Sequence, residues 1–252
     1  MYPLKNLRYK LTIAYDGTNY CGWQVQNTGR SIQSLVQKAL EIALRHPTDL
    51  TGSGRTDSGV HARGQTAHFD THQEIDPQKL LFSLNGLLPP DIRIFSIEPV
   101  AETFHARYSA KQKTYHYHLH LDLVADPILA PYRYHLTSNI DREKLASGAK
   151  LFLGTHDFTS FANDAHKGSA AHDPIRTLSQ FDLIDQPGGV RLELTCDGFL
   201  YKMVRNLVGT LIEVAAERLQ PEQIAEILAA KDRRRAGPAA PPHPLFLMHV
   251  QY

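Results

Sequence analysis

Apolar residues recur along the chain with two spacings, and each spacing predicts a type of element. Alternation, which is typical of a half-buried strand, marks KLTIAYDG and KTYHYHLHL, and the stretches GQTAHFDT, DIRIFSIEPV and LFLMHVQY also predict strands. A spacing of three or four residues, which is typical of one helix face, follows the capping residues Ser31, Asp76 and Asp141. The longest helical pattern is FLYKMVRNLVGTLIEVAAERL, and Pro221 opens another helix. Predicted helices and strands are therefore both distributed along the whole chain.

A pair of strands in the second half gives the clearest prediction of register. TLSQFDLID and VRLELTCD flank the turn residues Pro187-Gly188-Gly189, so we expect a hairpin. The second strand places its apolar residues on one face: Val190, Leu192, Leu194 and Cys196. Hairpins beside strand–helix–strand units predict an α+β fold, a mostly antiparallel β-sheet with helices on one face.

The order of elements suggests two similar halves. At 252 residues the chain is long enough for one large domain or for two closely packed halves. We expect an N-terminal α/β half over residues 1–105, which carries the glycine-rich loop discussed below, and a C-terminal α/β half over residues 106–252. Hydrophobic residues make up 42% of the chain and charged residues 21%, which is the range of ordinary globular proteins.

Composition also bounds the location and the partners. No apolar run reaches the roughly 18 residues of a spanning helix, and polar and basic residues follow Met1, so we expect a cytoplasmic protein without a membrane segment. Cys21 and Cys196 are too few for a disulfide framework and lack zinc-ligand spacing, so both are expected to be reduced and mostly buried. The net charge of +1 means that any nucleic-acid site must gather its basic residues on one face.

The stretch TGSGRTDSGVHARGQTAHFD, residues 51–70, contains the candidate chemistry. Gly52, Gly54 and Gly59 allow positive φ angles and a close approach to the main chain. Their spacing fits neither the dinucleotide fingerprint nor a P-loop, so a phosphate cradle is not predicted. Asp57 would be ionised without activation and could act as a nucleophile or a base. Spacing alone leaves open an Asx-turn or an ion pair with Arg55 instead.

The segment GRTDSGVHA, residues 54–62, resembles the signature of the tRNA pseudouridine synthase A family. The blocks YDGTNYCGWQVQ, NGLLPPDIRI, FHARYSAKQKTYHYH, GTHDFTSF, GFLYKMVRNLVGTLIEV and the final V-x-Y also resemble family blocks, in the family's order. The resemblance covers nearly the whole chain and implies the pseudouridine synthase fold. It further implies an isomerase that converts uridine to pseudouridine at positions 38, 39 and 40 in the anticodon stem-loop of tRNAs.

The reaction implied by this resemblance moves uracil from an N1 to a C5 linkage on the same sugar carbon. It involves no redox change and no phosphate transfer, so no cofactor, no nucleotide and no metal is expected. The resemblance makes Asp57 the catalytic residue. Three routes stay open for it: attack on C1′, addition to C6, or removal of the C2′ proton to give a glycal.

Four further residues are substrate-binding by the same resemblance. Arg55 assists extrusion of the target base, the Tyr115 ring stacks on it, Arg205 is the basic partner of the catalytic aspartate, and Leu245 lines the pocket. The helical pattern is compatible with a polar edge that Arg205 shares with Lys202. The chain departs from the family at two places, since Ser58 replaces a common alanine and Pro244 a common glycine. The implied partners are tRNA and a second copy of the chain, with each tRNA spanning both subunits.

Three other interpretations compete. His116, His118 and His120 project from one strand face and suggest a zinc hydrolase, but the outer two would lie about 13 Å apart, so an exposed polar face is favoured. A glycosidase would need a second carboxylate beside Asp57, for which Asp70 is distant in the pattern. A plain RNA-binding module would use the basic runs of the chain: Arg233, Arg234 and Arg235, and Arg107, Lys111 and Lys113.

Overall fold

The computed structural model of the protein describes residues 6–26, 29–163 and 173–252. These residues form two compact units, of which the first runs up to Lys111 and takes in Leu247–Tyr252, while the second is Gln112–Phe246. The sequence placed the division at residues 105 and 106 and assigned the last strand to the second half. In the structure most of that strand belongs to the first unit, because it pairs with a strand of that unit.

The first unit, where the structure describes it, is a mostly antiparallel sheet with two helices. Its elements are β1 (Leu7–Tyr15), α1 (Ile32–Leu44), β2 (Leu50–Gly52), β3 (His61–Thr71), α2 (Pro77–Leu87) and β4 (Ile92–Val100). β1 pairs antiparallel with β3 on one side and with β4 on the other, and β2 pairs antiparallel with β3. The alternation predicted for β1 is confirmed, since every second side chain from Tyr9 to Tyr15 is buried. α2 packs against both β4 and α1.

Both helices of this unit begin where the caps predict. The Ser31 hydroxyl accepts the Ser34 N–H, and the Asp76 carboxylate accepts the N–H groups of Gln78 and Lys79, with Pro77 in the first turn. These caps satisfy N–H groups that have no partner inside the helix.

The second unit is a sheet with three helices among its described residues. Its elements are β5 (Gln112–His120), β6 (Tyr134–His135), α3 (Arg142–Lys150), β7 (Gly154–Asp157), β8 (Ile175–Gln186), β9 (Gly189–Cys196), α4 (Met203–Ala215) and α5 (Gln223–Ala230). The strand order is β5-β9-β8-β7, with β6 added parallel to β5. The predicted hairpin is β8–β9, and the apolar face predicted for β9 is fully buried. The predicted α+β fold with a mostly antiparallel sheet is confirmed.

The predicted start of the long helix in the second unit is wrong. The pattern begins at Phe199, but Lys202 has φ 59°, and a left-handed residue cannot continue an α-helix, so α4 begins at Met203. Lys202 and Arg205 therefore do not share an edge of one helix. The apolar stripe predicted for this helix is confirmed, since all four of its residues are buried: Val204, Leu207, Val208 and Leu211.

Both cysteine side chains are free thiols, as predicted. Cys196 is buried, and burial raises the pKa of its thiol to about 12. Cys21 is only half-buried, so the expectation of burial holds fully for one of the two. Within the described parts of the chain, no helix has the length and apolar character needed to cross a membrane.

The last strand, β10 (Leu245–Gln251), lies beside β3. The two backbones approach closely at Gly64, where an added Cβ would lie 2.3 Å from the Met248 carbonyl oxygen. No side chain fits in that space unless one of the strands moves. Gly64 is therefore required by the packing of two main chains.

Replacing this glycine is expected to weaken the first unit. Gly64→Ala should lower the free energy of unfolding by roughly 1 to 3 kcal/mol, because the new methyl group forces β10 away from β3. The matched control is Gly86→Ala on α2, where an added Cβ meets nothing within 4 Å. The control should raise helix stability by up to about 1 kcal/mol. Thermal denaturation measures both, and equal melting temperatures for the two variants would contradict the close approach.

Candidate active site

The loop between β2 and β3, residues 53–60, presents Asp57 and Arg55. Asp57 is half-buried, Thr56 between the two is buried, and Arg55 is exposed. The Arg55 Nε donates to the Gln24 side-chain oxygen at 3.1 Å. The loop thus holds a carboxylate and a guanidinium two residues apart, with the intervening side chain turned into the protein.

Main-chain contacts fix the path of this loop. The Trp23 N–H donates to the Thr56 carbonyl at 3.1 Å, and the Val60 N–H donates to the Asp57 carbonyl at 3.1 Å. Gly59 has φ 77°, a conformation that glycine adopts without strain. At Gly22 a Cβ would lie 2.4 Å from the Thr56 carbonyl oxygen, so the facing segment also requires glycine. The backbone on both sides of Asp57 is therefore hydrogen-bonded.

Gly52 and Gly59 are required for different structural reasons. The prediction of positive φ holds for Gly59. Gly52 instead lies in β2, where its missing side chain leaves room for the Trp23 ring, whose Nε1 would be 2.4 Å from a Cβ. Trp23 is 2% exposed, so the indole is a buried support for the loop and its neighbours.

Buried polar groups lie behind the loop. The Tyr15 hydroxyl and the Thr56 hydroxyl are 2.9 Å apart, and burial raises the pKa of Tyr15, so the phenol stays neutral. His61 is 1% exposed, and its Nδ1 accepts the Gly17 N–H at 3.0 Å. These groups are inside the first unit, where they support the loop.

The other predicted site residues lie in the second unit. Tyr115, on β5, is 8% exposed and packs edge-to-face on Phe199 at 5.0 Å between ring centroids. Arg205 is half-buried in the first turn of α4, and its Nε donates to the Ala240 carbonyl at 2.7 Å. The structure thus places Arg55 and Asp57 together on one loop of the first unit, and Tyr115 and Arg205 on separate elements of the second.

Leu245 is the first residue of β10 and is 4% exposed. The Leu245 N–H donates to the Pro242 carbonyl at 3.0 Å, and the Pro244 carbonyl accepts the His118 N–H at 3.1 Å. Proline fits at position 244 because the contact there uses its carbonyl, and a proline has no N–H to lose.

A side-chain network that the sequence did not predict anchors the first turn of α4. Asn206 is fully buried, and its Nδ2 donates to the Phe161 carbonyl at 2.7 Å and to the Asn163 side chain at 3.0 Å. The Arg233 Nη2 donates to the Asn206 side-chain oxygen at 2.9 Å. The only local signal was a polar residue beside the apolar stripe of the helix. Asn206 and Arg233 therefore hold the turn that carries Arg205.

This network gives one residue of the basic run at residues 233–235 a structural role. Arg233 is tied to Asn206, and burial lowers the pKa of its guanidinium. Arg234 pairs with Asp232 at 2.7 Å and is well exposed. The run therefore combines one structural arginine with neighbours that face solvent or pair locally.

Asp70 cannot supply the second carboxylate that a glycosidase would need beside Asp57. Asp70 lies near the far end of β3, about 30 Å along the strand from its start at His61. Two carboxylates that act on one glycosidic bond are about 5 to 10 Å apart. Asp70 instead forms a two-pronged ion pair with Arg8, with both N–O distances at 2.7 Å. Its position and its partner give it a structural role.

The histidines of β5 do not form the exposed polar face that the sequence favoured. His120 is 5% exposed, because the chain after β5 covers it and the Val124 carbonyl lies 2.8 Å from its Nε2. His118 contacts the Gln186 side chain at 3.0 Å, and burial lowers the pKa of His118 to about 4. His116 lies 3.4 Å from Glu193. In the described segments, no three His, Cys, Asp or Glu side chains are grouped so that they could hold a metal ion.

Comparison with known proteins gives a consistent result over the whole chain. A family model described as tRNA pseudouridine synthase matches residues 11–109 and 149–252. The chain is 57% identical to tRNA pseudouridine synthase A 1 of Protochlamydia amoebophila over 245 residues, which cover 97% of this chain and 96% of that protein. It is 42% identical to tRNA pseudouridine synthase A of Bacillus velezensis over 250 residues, 98% and 99% of the two chains. It is 41% identical to tRNA pseudouridine synthase A of Exiguobacterium over 245 residues, which cover 97% of this chain and 98% of that protein.

The ion pair between Arg8 and Asp70 makes the first unit sensitive to acid. The hydrogen bond from Arg8 lowers the pKa of Asp70 in the folded protein. The ion pair therefore stabilises the fold fully above the pKa that Asp70 has in the unfolded chain, and this stabilisation is lost as the pH falls through the lower pKa of Asp70 in the folded protein. Asp70→Asn should lower the melting temperature at neutral pH, and the difference from the native chain should shrink below about pH 4. Calorimetry over this pH range measures it.

The control for this prediction is Asp49→Asn, which removes a charge at an exposed position of the same unit. Asp70→Asn must destabilise more than this control at neutral pH. A melting-temperature difference that stays constant on acidification would show that the ion pair makes no contribution.

Proposed function

The chain belongs to the tRNA pseudouridine synthase family, and we propose that it converts uridine to pseudouridine at positions 38, 39 and 40 in the anticodon stem-loop of tRNAs. The observation that supports this most directly is the half-exposed Asp57 on a loop whose backbone is fixed from both sides. The loop sequence is also the one that resembles the family signature. The chain is therefore an isomerase that acts on tRNA, and Asp57 is its proposed catalytic residue.

The reaction needs a single carboxylate and no external reagent. The N1–C1′ bond breaks and a C5–C1′ bond forms, while C5 loses its hydrogen as a proton and N1 gains a proton, so the product is an isomer of the substrate. Attack on C1′, addition to C6 and removal of the C2′ proton each begin with an ionised carboxylate in contact with the nucleoside. A loop that holds the Asp57 backbone in one path serves all three routes, because each requires the carboxylate to meet the sugar or base at a defined position.

The target uridine must leave the stem-loop before it can react, at a cost of a few kcal/mol. We assign Arg55 to this extrusion because it is exposed beside Asp57 on the same loop. Tyr115 is assigned to stacking on the extruded base, with Phe199 holding its ring. Arg205 and Leu245 are assigned to pairing with the catalytic carboxylate and to lining the pocket. No cofactor and no metal are included in this proposal.

We further propose that the protein is a cytoplasmic homodimer in which each tRNA spans both subunits. The support is the family membership of the chain. Sedimentation equilibrium should give twice the chain mass. When tRNA is added, every protein–tRNA complex should contain two copies of the chain. A stable monomer that modifies tRNA at the native rate would contradict the dimer and leave the proposed reaction intact.

Removal of the Asp57 charge is expected to abolish the reaction. Asp57→Asn keeps the shape of the side chain but cannot act as a nucleophile or base at neutral pH, so pseudouridine formation in unmodified tRNA should fall below detection while tRNA still binds. Tyr115→Ala should be less severe, since base–aromatic stacking contributes roughly 1 to 3 kcal/mol, about fivefold to 150-fold in rate. Pseudouridine mapping at positions 38 to 40 measures both.

The control for this test is Asp49→Asn, which makes the same chemical change at an exposed residue of the same unit. It should modify tRNA at the native rate. Native activity in Asp57→Asn would refute the assignment of Asp57, and absence of pseudouridine with the native chain would refute the proposed function itself.

A further inference from the structure

The buried side-chain amide of Gln65 contacts the start of the catalytic loop and has no part in the chemistry described so far. Gln65 lies on β3 and is 0% exposed. Its Oε1 accepts the Ser53 hydroxyl at 2.7 Å and the Thr66 N–H at 3.1 Å, and its Nε2 donates to the Gly54 carbonyl at 3.0 Å. The amide therefore accepts two hydrogen bonds and donates one to a loop carbonyl, and it also interacts with the Tyr15 side chain.

The partners of this amide are the residues that lead into the reactive part of the loop. Ser53 and Gly54 immediately precede Arg55, and the next two positions are Thr56 and Asp57. The Ser53 N–H also donates to the Thr66 carbonyl at 2.7 Å, which brings the start of the loop against β3. A fully buried polar side chain is unfavourable unless it is hydrogen-bonded, so an apolar residue would fill this core position at lower cost. What the amide adds is a fixed position for the Gly54 carbonyl.

We propose that Gln65 is a positioning residue for the reaction, because its amide holds the peptide at Gly54 and so sets where the Asp57 carboxylate is presented. This inference rests on the proposed function of Asp57. The donor from Nε2 to the Gly54 carbonyl carries it, since the Ser53 and Thr66 contacts use only the acceptor. A displacement of about 1 Å at a reacting group can reduce a rate about a hundredfold, so loss of this donor changes the chemical step.

Replacement by glutamate separates this role from simple packing. Glutamate keeps the shape and the acceptor of Gln65, but its ionised form places a second oxygen against the Gly54 carbonyl and has no hydrogen to donate. Protonation supplies an O–H that can donate to that carbonyl. Burial raises the pKa of a carboxyl group, so the protonated form is accessible at mildly acidic pH. The Gln65→Glu rate should therefore rise as pH falls.

Few other titratable groups interact with this network. Tyr15 from β1 and Tyr252 after β10 are phenols whose pKa values burial raises, the latter to about 12, so both stay neutral through the acidic and neutral range. Tyr252 interacts with the side chains of Ser53 and Thr66. Asp57 and Arg55 lie on the loop itself and are common to the native chain and the variant. The native pH profile is therefore the reference against which the recovery of Gln65→Glu is measured.

The experiment compares the native chain with Gln65→Met, Gln65→Glu and the exposed control Gln73→Met. Single-turnover release of tritium from tRNA that carries 5-tritiated uridine measures the chemical step from about pH 5.5 to about pH 8.5. We expect Gln65→Met to be about a hundredfold slower, with the Kd for tRNA changed by less than about threefold. Gln65→Glu should be as slow at high pH and should recover in acid, while Gln73→Met should match the native chain.

Several outcomes overturn the inference. They are a folded Gln65→Met with the native rate, a loss confined to tRNA affinity, or a Gln65→Glu pH profile parallel to that of the native chain. If circular dichroism shows that Gln65→Met does not fold, Gln65→Glu decides the question alone through its pH profile. Absence of tritium release from the native chain would instead refute the proposed function, so the two failures are distinguishable.

Discussion

The hydrogen bond from the Trp23 N–H to the Thr56 carbonyl is the contact on which the loop that carries Asp57 depends. It joins the segment after β1 to the middle of the loop, one residue before Asp57. Gly22 makes the contact geometrically feasible, and the buried indole of Trp23 occupies the space that Gly52 leaves. A short loop without secondary structure can place a carboxylate reproducibly only when its main chain is held in this way. Main-chain hydrogen bonds and close packing thus define the path of the loop.

Much of the fold could be predicted because its signals are local. Side-chain caps at Ser31 and Asp76 mark helix starts within a few residues, and alternation over eight residues is enough to assign the buried face of β9. The strands that were not predicted, β2, β6 and β7, have two to four residues each and are too short to show a period. The left-handed conformation of Lys202 was also hidden, because a lysine gives no sign of positive φ.

In the candidate site, too, the sequence indicates features that depend on local residues and does not indicate those that depend on distant ones. Asp57 could be found from sequence because its neighbours form a distinctive segment. Asn206, Arg233 and Gln65 could not, because their partners lie between 11 and 45 residues away in the chain. An arginine in a basic run has the same local pattern whether it is solvated or tied to a buried asparagine. A glutamine in a strand likewise gives no sign that its amide holds a carbonyl of a preceding loop. Supporting residues of this kind become visible only when the tertiary contacts are known.

The membership of Leu247–Tyr252 in the first unit has a consequence for synthesis on the ribosome. All of Gln112–Phe246 is translated before this strand emerges, so the sheet that carries the Asp57 loop lacks one of the strands beside β3 throughout that time. Closure brings the Tyr252 hydroxyl to the Ala106 carbonyl at 2.8 Å and its ring onto Phe104. The first unit is therefore completed only after the whole of the second unit has been translated.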